Sequence, residues 1–363
     1  MSFPKIALVY LTYFVPDSIE DIPACFQSLE QVVYPKELWK IFMVENPSTH
    51  GASHPFIQND WFIKMGQTLP AMSLSLNSTD QGFAGAQVVA YEQAKQWGAD
   101  YIYLLNQDTV VDPFFLQTIV QYAQEHPAYG ILQSRIMLKQ DPEKLNSQGN
   151  ALHFLGFGFS DGYQKTPQKA KQHKRPLFYA SGAGMLIRMD LLNQIGSFEP
   201  SYYMYHEDVD LSWRARLAGF QIGYVEDSVI YHHYEFSRSV KKFYWMERNR
   251  YLTHLGNLKL KTLLLIAPAF WVMETGTLLF SIRSGWWKEK IRAWFSLIDY
   301  KTWKWILKRR RIIKKTRVLK DREILNYMVA VIDSQEIRNP LLQWVVNPIF
   351  QIYFWVIKKI IWW

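Results

Sequence analysis

The chain has 363 residues, 49% hydrophobic and 20% charged, which is the composition of a folded globular protein and excludes a disordered one. Its one cysteine, Cys25, excludes an internal disulfide. The net charge of +9 is local, because residues 283–320 hold 14 Lys/Arg against Glu289 and Asp299 and the rest of the chain is net negative.

The opening run MSFPKIALVYLTYF has one lysine and no small-residue cleavage site. It reads as a buried first strand (6–13) and not as a leader, so the catalytic part is expected in the cytosol. Asp17 is placed to cap a helix running to about Val32, and Cys25 within it reads as a small buried hydrophobe. Residues 39–46, 72–77 and 101–108 read as further strands. Residues 84–98 have helical spacing and stop at Gly98, and Asp112-Pro113 opens another helix. Apolar strands alternating with helices predict an α/β domain with a mostly parallel sheet. Ligands of such sheets sit at the carboxyl ends of the strands. Thr12 and Tyr13, Glu45 and Asn46, Asn77, and Asn106, Gln107 and Asp108 stand there.

From about 140 to 235 the pattern is mixed. Residues 160–176 are polar and basic and predict a surface loop. Residues 177–188 bring small residues to a strand. YHEDVDLSWRARLAG (205–219) gives an acidic turn followed by a helix from Asp208, and 229–239 is a strand that carries His232 and His233.

After about 240 the character changes, and 11 of the 15 tryptophans lie between Trp245 and Trp363. Residues 262–282 are long enough to cross a bilayer, which takes roughly 20 residues. Pro268, Glu274 and Gly276 within them favour a buried or interfacial helical hairpin. The Trp/Lys/Arg-rich helices at 286–317 and the apolar tail ending in two tryptophans suit a headgroup interface. The chain therefore divides at about 240 into a catalytic part (1–240) and a helical, membrane-associating part (241–363). A helical bundle completing the core, or a dimer interface, is the alternative for the second part.

Seven ordered segments resemble the family-2 glycosyltransferases of GT-A fold, especially the rhamnosyltransferase-like branch, over about 5–320. They are VENPST (44–49), TDQGFAGAQ (79–87), LNQDT (105–109), SGAGMLIR (181–188), YHEDVDLSWRARLAG (205–219), VIYHH (229–233) and ERNRY (247–251). The resemblance implies transfer of a sugar from a nucleotide-sugar, with a UDP- or dTDP-sugar as donor. It implies a growing polysaccharide or polyprenyl-linked glycan as acceptor at the cytoplasmic face of an anionic membrane surface.

A departing nucleoside diphosphate carries concentrated charge, which Mg2+ or Mn2+ on oxygen ligands neutralises. Asp108 is the expected carboxylate ligand, with Asn106 where the family's fullest motif has its first Asp. His232 is the first choice for a further ligand and His233 the second, because adjacent strand residues face opposite ways. Asp208 is placed by the resemblance as the base that takes the acceptor's proton, with Glu207 beside it and Asp210 as support. A plain helix cap is the alternative for Asp208. Glu45 stands at the base-reading position and could accept the N3–H of a pyrimidine, or be a solvated strand end. Asp80 and Gly82 are expected close to the nucleotide, and Gly182 and Ala183 on the acceptor side. Arg248 and Asn249 are candidates for holding the diphosphate or gating the site, against a surface role.

The first strand is not followed by G-x-G-x-x-G and the chain has no P-loop motif, which argues against a dehydrogenase and a P-loop kinase. The run KRRRIIKK (308–315) could serve a nucleic-acid-binding protein, but it lies among Trp and aliphatic residues beside a net negative domain, so no nucleic acid is expected. A non-catalytic sugar-binding homologue is the remaining rival, because Asn106 lowers the charge of the metal site.

Overall fold

The computed structural model describes residues 3–16, 20–171, 176–234, 240, 242–332 and 340–363. The first part alternates strand and helix: β1 (Ile6–Tyr13), α1 (Asp21–Leu29), β2 (Trp39–Asn46), α2 (His54–Asp60), β3 (Ala71–Leu76), α3 (Gly82–Trp97) and β4 (Tyr101–Asn106). A short β5 (Thr109–Val111) precedes α4 (Phe115–Glu125), β6 (Tyr129–Leu138) and β7 (Asp141–Ser147). Then come β8 (Asn150–Leu152), β9 (Gly158–Ser160), α5 (Pro167–Lys171), β10 (Gly184–Arg188), α6 (Met189–Ile195), α7 (Glu207–Leu217) and β11 (Gln221–His232). The rest is helical: α8 (Lys242–Asn257), α9 (Leu260–Arg283), α10 (Trp287–Phe295), α11 (Tyr300–Thr316), α12 (Asp321–Leu325) and α13 (Asn347–Ile360). Asp17, the expected cap, lies outside the described residues, as do the ends of the expected 160–176 loop and 229–239 strand.

Nine strands make one sheet in the order β3-β2-β1-β4-β10-β6-β11-β5, with β7 beside β6. The four apolar runs of the first part form the expected parallel block. β10 enters antiparallel between β4 and β6, which makes the second half mixed. Both faces are covered, so β1 is buried along most of its length. On one face Ile22, Cys25 and Phe26 of α1 and Phe115 and Ile119 of α4 pack on Ile6, Leu8 and Tyr10. On the other, Ala86, Ala90 and Ala94 of α3 and Leu211 and Ala215 of α7 meet Ala7 and Val9. Full burial of each large aliphatic or aromatic side chain contributes about 1.5–3 kcal/mol. Cys25 is the buried hydrophobe its setting predicts, and burial pushes its thiol up to about 12.

Helix α3 ends as expected at Gly98, whose φ of +75° makes the left-handed stop. Strand β4 is shorter than 101–108: it ends at Asn106, and Gln107-Asp108 turn the chain into β5. The expected loop holds β9 and the short α5, and the expected strand at 177–188 begins only at Gly184.

The division at 240 does not interrupt the core. Trp213 and Leu217 of α7 share one apolar cluster with Ile266 and Met273 of α9, Ile313 of α11 and Phe350 and Phe354 of α13. The hairpin expected at 262–282 is not formed. α9 is one helix of 24 residues with Pro268 inside it. Its single carboxylate explains why the chain need not turn there. Glu274 is buried in an ion cluster, paired with Arg250 and with Lys290 at 2.8 Å and accepting from Tyr251 at 2.6 Å and Trp294 at 2.7 Å.

Candidate active site

The carboxyl ends of β1, β2 and β4 come together, and β11 brings a histidine to the same place. The antiparallel pairing of β5 and β11 sets His232 opposite Thr109. Its Nε2 lies 3.2 Å from Asp108 Oδ1 and 3.5 Å from Asn106 Nδ2. Its Nδ1–H donates to Asn146 Oδ1 at 3.0 Å, which turns the Nε2 lone pair toward Asp108. Two acceptors this close call for a positive centre, and one carboxylate oxygen with one imidazole nitrogen is a donor set that Mn2+ or Mg2+ accepts. Among the described residues no group of three or more His, Cys, Asp or Glu forms a full cage. A cation held here would take its other ligands from water and a diphosphate.

His233 does not share this place. Its Nδ1 lies 3.2 Å from Asp21 Oδ2, and Asp21 also accepts from Lys139 at 2.6 Å. Strand alternation separates the two histidines, and the backbone N–H of His233 donates to Asp108 O at 3.0 Å.

Five donor-side candidates turn out to build the cleft walls. Gln107 exchanges two 3.0 Å bonds between its side-chain amide and the backbone of Tyr13. Glu45 is buried and its carboxylate accepts from Thr12 Oγ1, Ser53 N, His54 N and the His54 ring, which fills its acceptor positions. The geometry therefore gives Glu45 the task of fixing the entry to α2, in place of the base-reading role. Asn46 accepts from Asn77 and Gln81 N and donates to Gly82 O, tying β2 to the start of α3. Gly82 is close to backbone, but not a ligand's: at its φ of +63° an added Cβ would lie 2.4 Å from Tyr203 O. Asp80 is exposed and joins the same two segments, accepting from Gly82 N at 2.9 Å and Tyr203 Oη at 2.5 Å.

On the acceptor side, Gly182 N donates to Asp208 Oδ2 at 3.4 Å, and Ala183 O accepts from Asn106 N at 3.5 Å. One short turn thus joins the end of β4, two residues before Asp108, to Asp208. Burial pushes the Asp208 carboxyl up to about 6. Burial and the adjacent Asp208 charge raise Glu207 too, and Glu207 Oε2 is buried with no hydrogen-bond partner among the described residues. Burial thus poises Asp208 to take up a proton close to neutrality. Asp208 Oδ1 does accept its own helix's Val209 N–H, so it is fixed at the helix start while Oδ2 faces the turn.

The loop before α7 is unusual. Tyr203, Tyr205 and His206 all have φ between 61° and 67°. Such non-glycine conformations persist only where surroundings enforce them. Asn249, fully buried, does so by donating to the carbonyls of Tyr202, Met204 and Tyr205 at 2.8–2.9 Å. Arg248 is not brought to the strand ends, contrary to the donor-binding expectation. Its guanidinium donates to Ser201 O and Asn249 Oδ1, both at 2.8 Å, because α8 points it at the loop. Asp210 is buried among Arg214, Arg309, Tyr202 and Asn257. Asn146 went unnoticed in the sequence, since it sits in no motif; His206 lies inside YHEDVDLSWRARLAG without a task assigned to it, and Asn249 was visible inside ERNRY, with a different task.

The family model described as glycosyltransferase like family 2 matches residues 8–252, a span that contains this whole site. The chain belongs to that family. A family-2 relative in Mycobacterium tuberculosis, an N-acetylglucosaminyl-diphospho-decaprenol L-rhamnosyltransferase, is 23% identical over 207 residues, 53% of this chain and 66% of that protein. Rhamnosyltransferase WbbL of Escherichia coli is 29% identical over 170 residues, 43% of this chain and 63% of that protein. The chain thus spans just under two thirds of the length of these curated relatives. The solved mannosyltransferase PcManGT from Pyrobaculum calidifontis, in complex with GDP-Man and Mn2+, matches with a TM-score of 0.51 at 14% identity, covering 87% of this chain and 86% of that one. The family-2 chain therefore has the GT-A-like fold that its motifs imply.

Proposed function

We propose that this family-2 chain is an inverting glycosyltransferase that moves a hexose or deoxyhexose, with rhamnose favoured, from a UDP- or dTDP-sugar to a lipid-linked, growing cell-surface glycan. The observation that supports the reading is the short turn at Gly182–Ala183, which bonds Asp208, a carboxyl that burial pushes up to about 6, on one side and the backbone of Asn106, two residues before Asp108, on the other. Asp108 and His232 would hold Mg2+ or Mn2+. That cation would neutralise the diphosphate as it departs.

Asp208 Oδ2 accepts the proton of the acceptor hydroxyl as its oxygen bonds to the anomeric carbon. The bond from that carbon to the diphosphate oxygen breaks, and the electron pair leaves with the nucleotide. Attack from the face opposite the leaving group inverts the anomeric centre. Gly182 N–H holds Asp208 in place, and the absence of a side chain lets the Phe83 ring pack against the turn, where an added Cβ would lie 3.0 Å from it. Rhamnose and the polyprenyl-linked acceptor are favoured by the names of the curated relatives.

A panel of nucleotide-sugars tests this. A UDP- or dTDP-sugar should raise the melting temperature only with Mn2+ or Mg2+ present, and should be consumed when a polyprenyl-diphosphate glycan is added. Stabilisation without consumption by any acceptor would favour a non-catalytic binder, and stabilisation by none of the sugars would refute the donor class.

A further inference from the structure

Helix α9 is the one helix among the described residues that is long and apolar enough to cross a membrane. Its 24 residues would extend about 36 Å. It is nevertheless fastened to the enzyme along one side. Asp321 accepts from Lys259 N at 2.8 Å and Thr262 Oγ1 at 2.6 Å. Tyr353 of α13 donates to Leu265 O at 2.6 Å, and Glu274 is locked into the buried cluster with Arg250 and Lys290. Thr262, Ile266, Ala269, Met273 and Ser281 form its buried stripe. A helix tied to the protein body from its first turn to Glu274 cannot be surrounded by lipid.

The opposite stripe is apolar and uncovered. Leu260, Leu264, Trp271, Leu279 and Ile282 recur at helical spacing, and Trp271 is 64% exposed. α13 packs beside α9 and presents a second such stripe of Ile349, Ile352, Trp355, Val356 and Ile360, with Trp355 63% exposed. The exposed charges on both helices are cationic: Lys261, Arg283 and Lys359, with Lys359 5.6 Å over the Trp355 ring. The sole carboxylate of the two helices, Glu274, is the buried one.

We infer that α9 and α13 together form a monotopic docking face that lies in the plane of an anionic bilayer, with α9 parallel to the surface and not across it. Apolar stripes edged by tryptophan and lysine fit the boundary between acyl chains and headgroups. A second copy of the chain would set cationic edges against each other, whereas anionic lipid supplies the opposite charge. The inference does not depend on the catalytic reading, although it would bring a lipid-linked acceptor to the same enzyme.

Flotation of the full chain with phosphatidylcholine vesicles, with and without phosphatidylglycerol, tests the face. Binding should require the anionic lipid, and Trp271→Glu with Trp355→Glu should weaken it roughly tenfold or more. Lys261→Glu with Lys359→Glu, a change confined to exposed side chains, should weaken it too, which guards against a misfolded tryptophan variant. Donor-dependent stabilisation should be unchanged in both pairs, and Asp208→Asn should float like the wild type. Failure of the wild type to float, or a dimer in light scattering that the tryptophan changes dissolve, would overturn the bilayer as the occupant. Orientation is read separately, with an impermeant maleimide on bound Lys261→Cys and Arg283→Cys, since Cys25 is buried. Both sites should react from outside the vesicle, and protection of one end alone would mean that the helix spans.

Discussion

Arg309 Nη2 donates to Asp210 Oδ2 across 2.9 Å, so a residue of the basic run in α11 closes a buried ion pair with the helix that begins at Glu207 and Asp208. The run is thus divided in its work. Arg309 faces inward and Arg310 donates to the carbonyls of Leu255 and Leu258, while Lys308, Arg311, Lys314 and Lys315 remain exposed. Arg309→Ala leaves a buried carboxylate short of one partner and should cost about 3–5 kcal/mol, measured by denaturant unfolding. Burial alone would raise Asp210, but Arg309 and Arg214 more than offset it and hold the carboxyl below its ordinary value. The stability this supplies is present above the unfolded Asp pKa of about 3.9 and is lost as pH falls through the lower folded value. Acid unfolding of Arg309→Ala should therefore begin at higher pH than that of the wild type.

Asp208→Asn removes the proton acceptor but keeps shape and hydrogen-bonding size. Transfer should fall by roughly 10²–10⁴. Metal-dependent donor binding, followed by calorimetry, should stay within a few-fold of wild type. Loss of both together would mean that Asp208 is only a helix cap.

The pH profile carries a separate signature. Burial sets Asp208 near 6, and a base works only when ionised, so kcat/KM should fall as pH drops through about 6. Burial and the adjacent Asp208 charge raise Glu207 as well. Glu207→Gln keeps a neutral hydrogen-bonding side chain and should leave the acid limb near the same pH. A limb that disappears in Glu207→Gln would reassign the base to Glu207.

The two histidines are separable by titration with Mn2+ in the presence of nucleotide. Asp108→Ala and His232→Ala should each weaken metal binding by at least about tenfold. His233→Ala should leave it unchanged, because His233 pairs with Asp21 on the other side of the strand.

Asn249 holds three carbonyls of the loop whose left-handed residues lead into Glu207. Asn249→Asp keeps the volume and loses the N–H donors. It should lower kcat about tenfold to a hundredfold with little change in the donor KM, as Asn249→Ala should. A rise in KM alone would place Asn249 on the donor instead.

The strands, and with them the positions of Asp108, His232 and Asp208, were legible because each lies on or next to an element whose hydrophobic period is strong. What the period does not carry is the partner. Glu45 reads as a free strand-end carboxylate until Ser53 and His54 fold back onto it. Gly82 reads as room for a ligand until Tyr203, 121 residues later, fills the space. Asn146 reaches His232 only because β7 pairs with β6, a hairpin that short polar residues do not announce. At 262–282, Pro268 and Gly276 suggested a break, but tertiary contacts at Asp321 and Glu274 keep the helix whole.

The placement of β10 bears on how the chain is made. It pairs with β4 on one side and β6 on the other, each more than 45 residues earlier in the chain, and no other strand among the described residues bridges those two. While a ribosome is still short of residue 188, the edges of β4 and β6 that β10 will cover are unpaired. The centre of the sheet closes only when β10 emerges, so cells that make this protein have a long interval in which an aggregation-prone intermediate must be shielded.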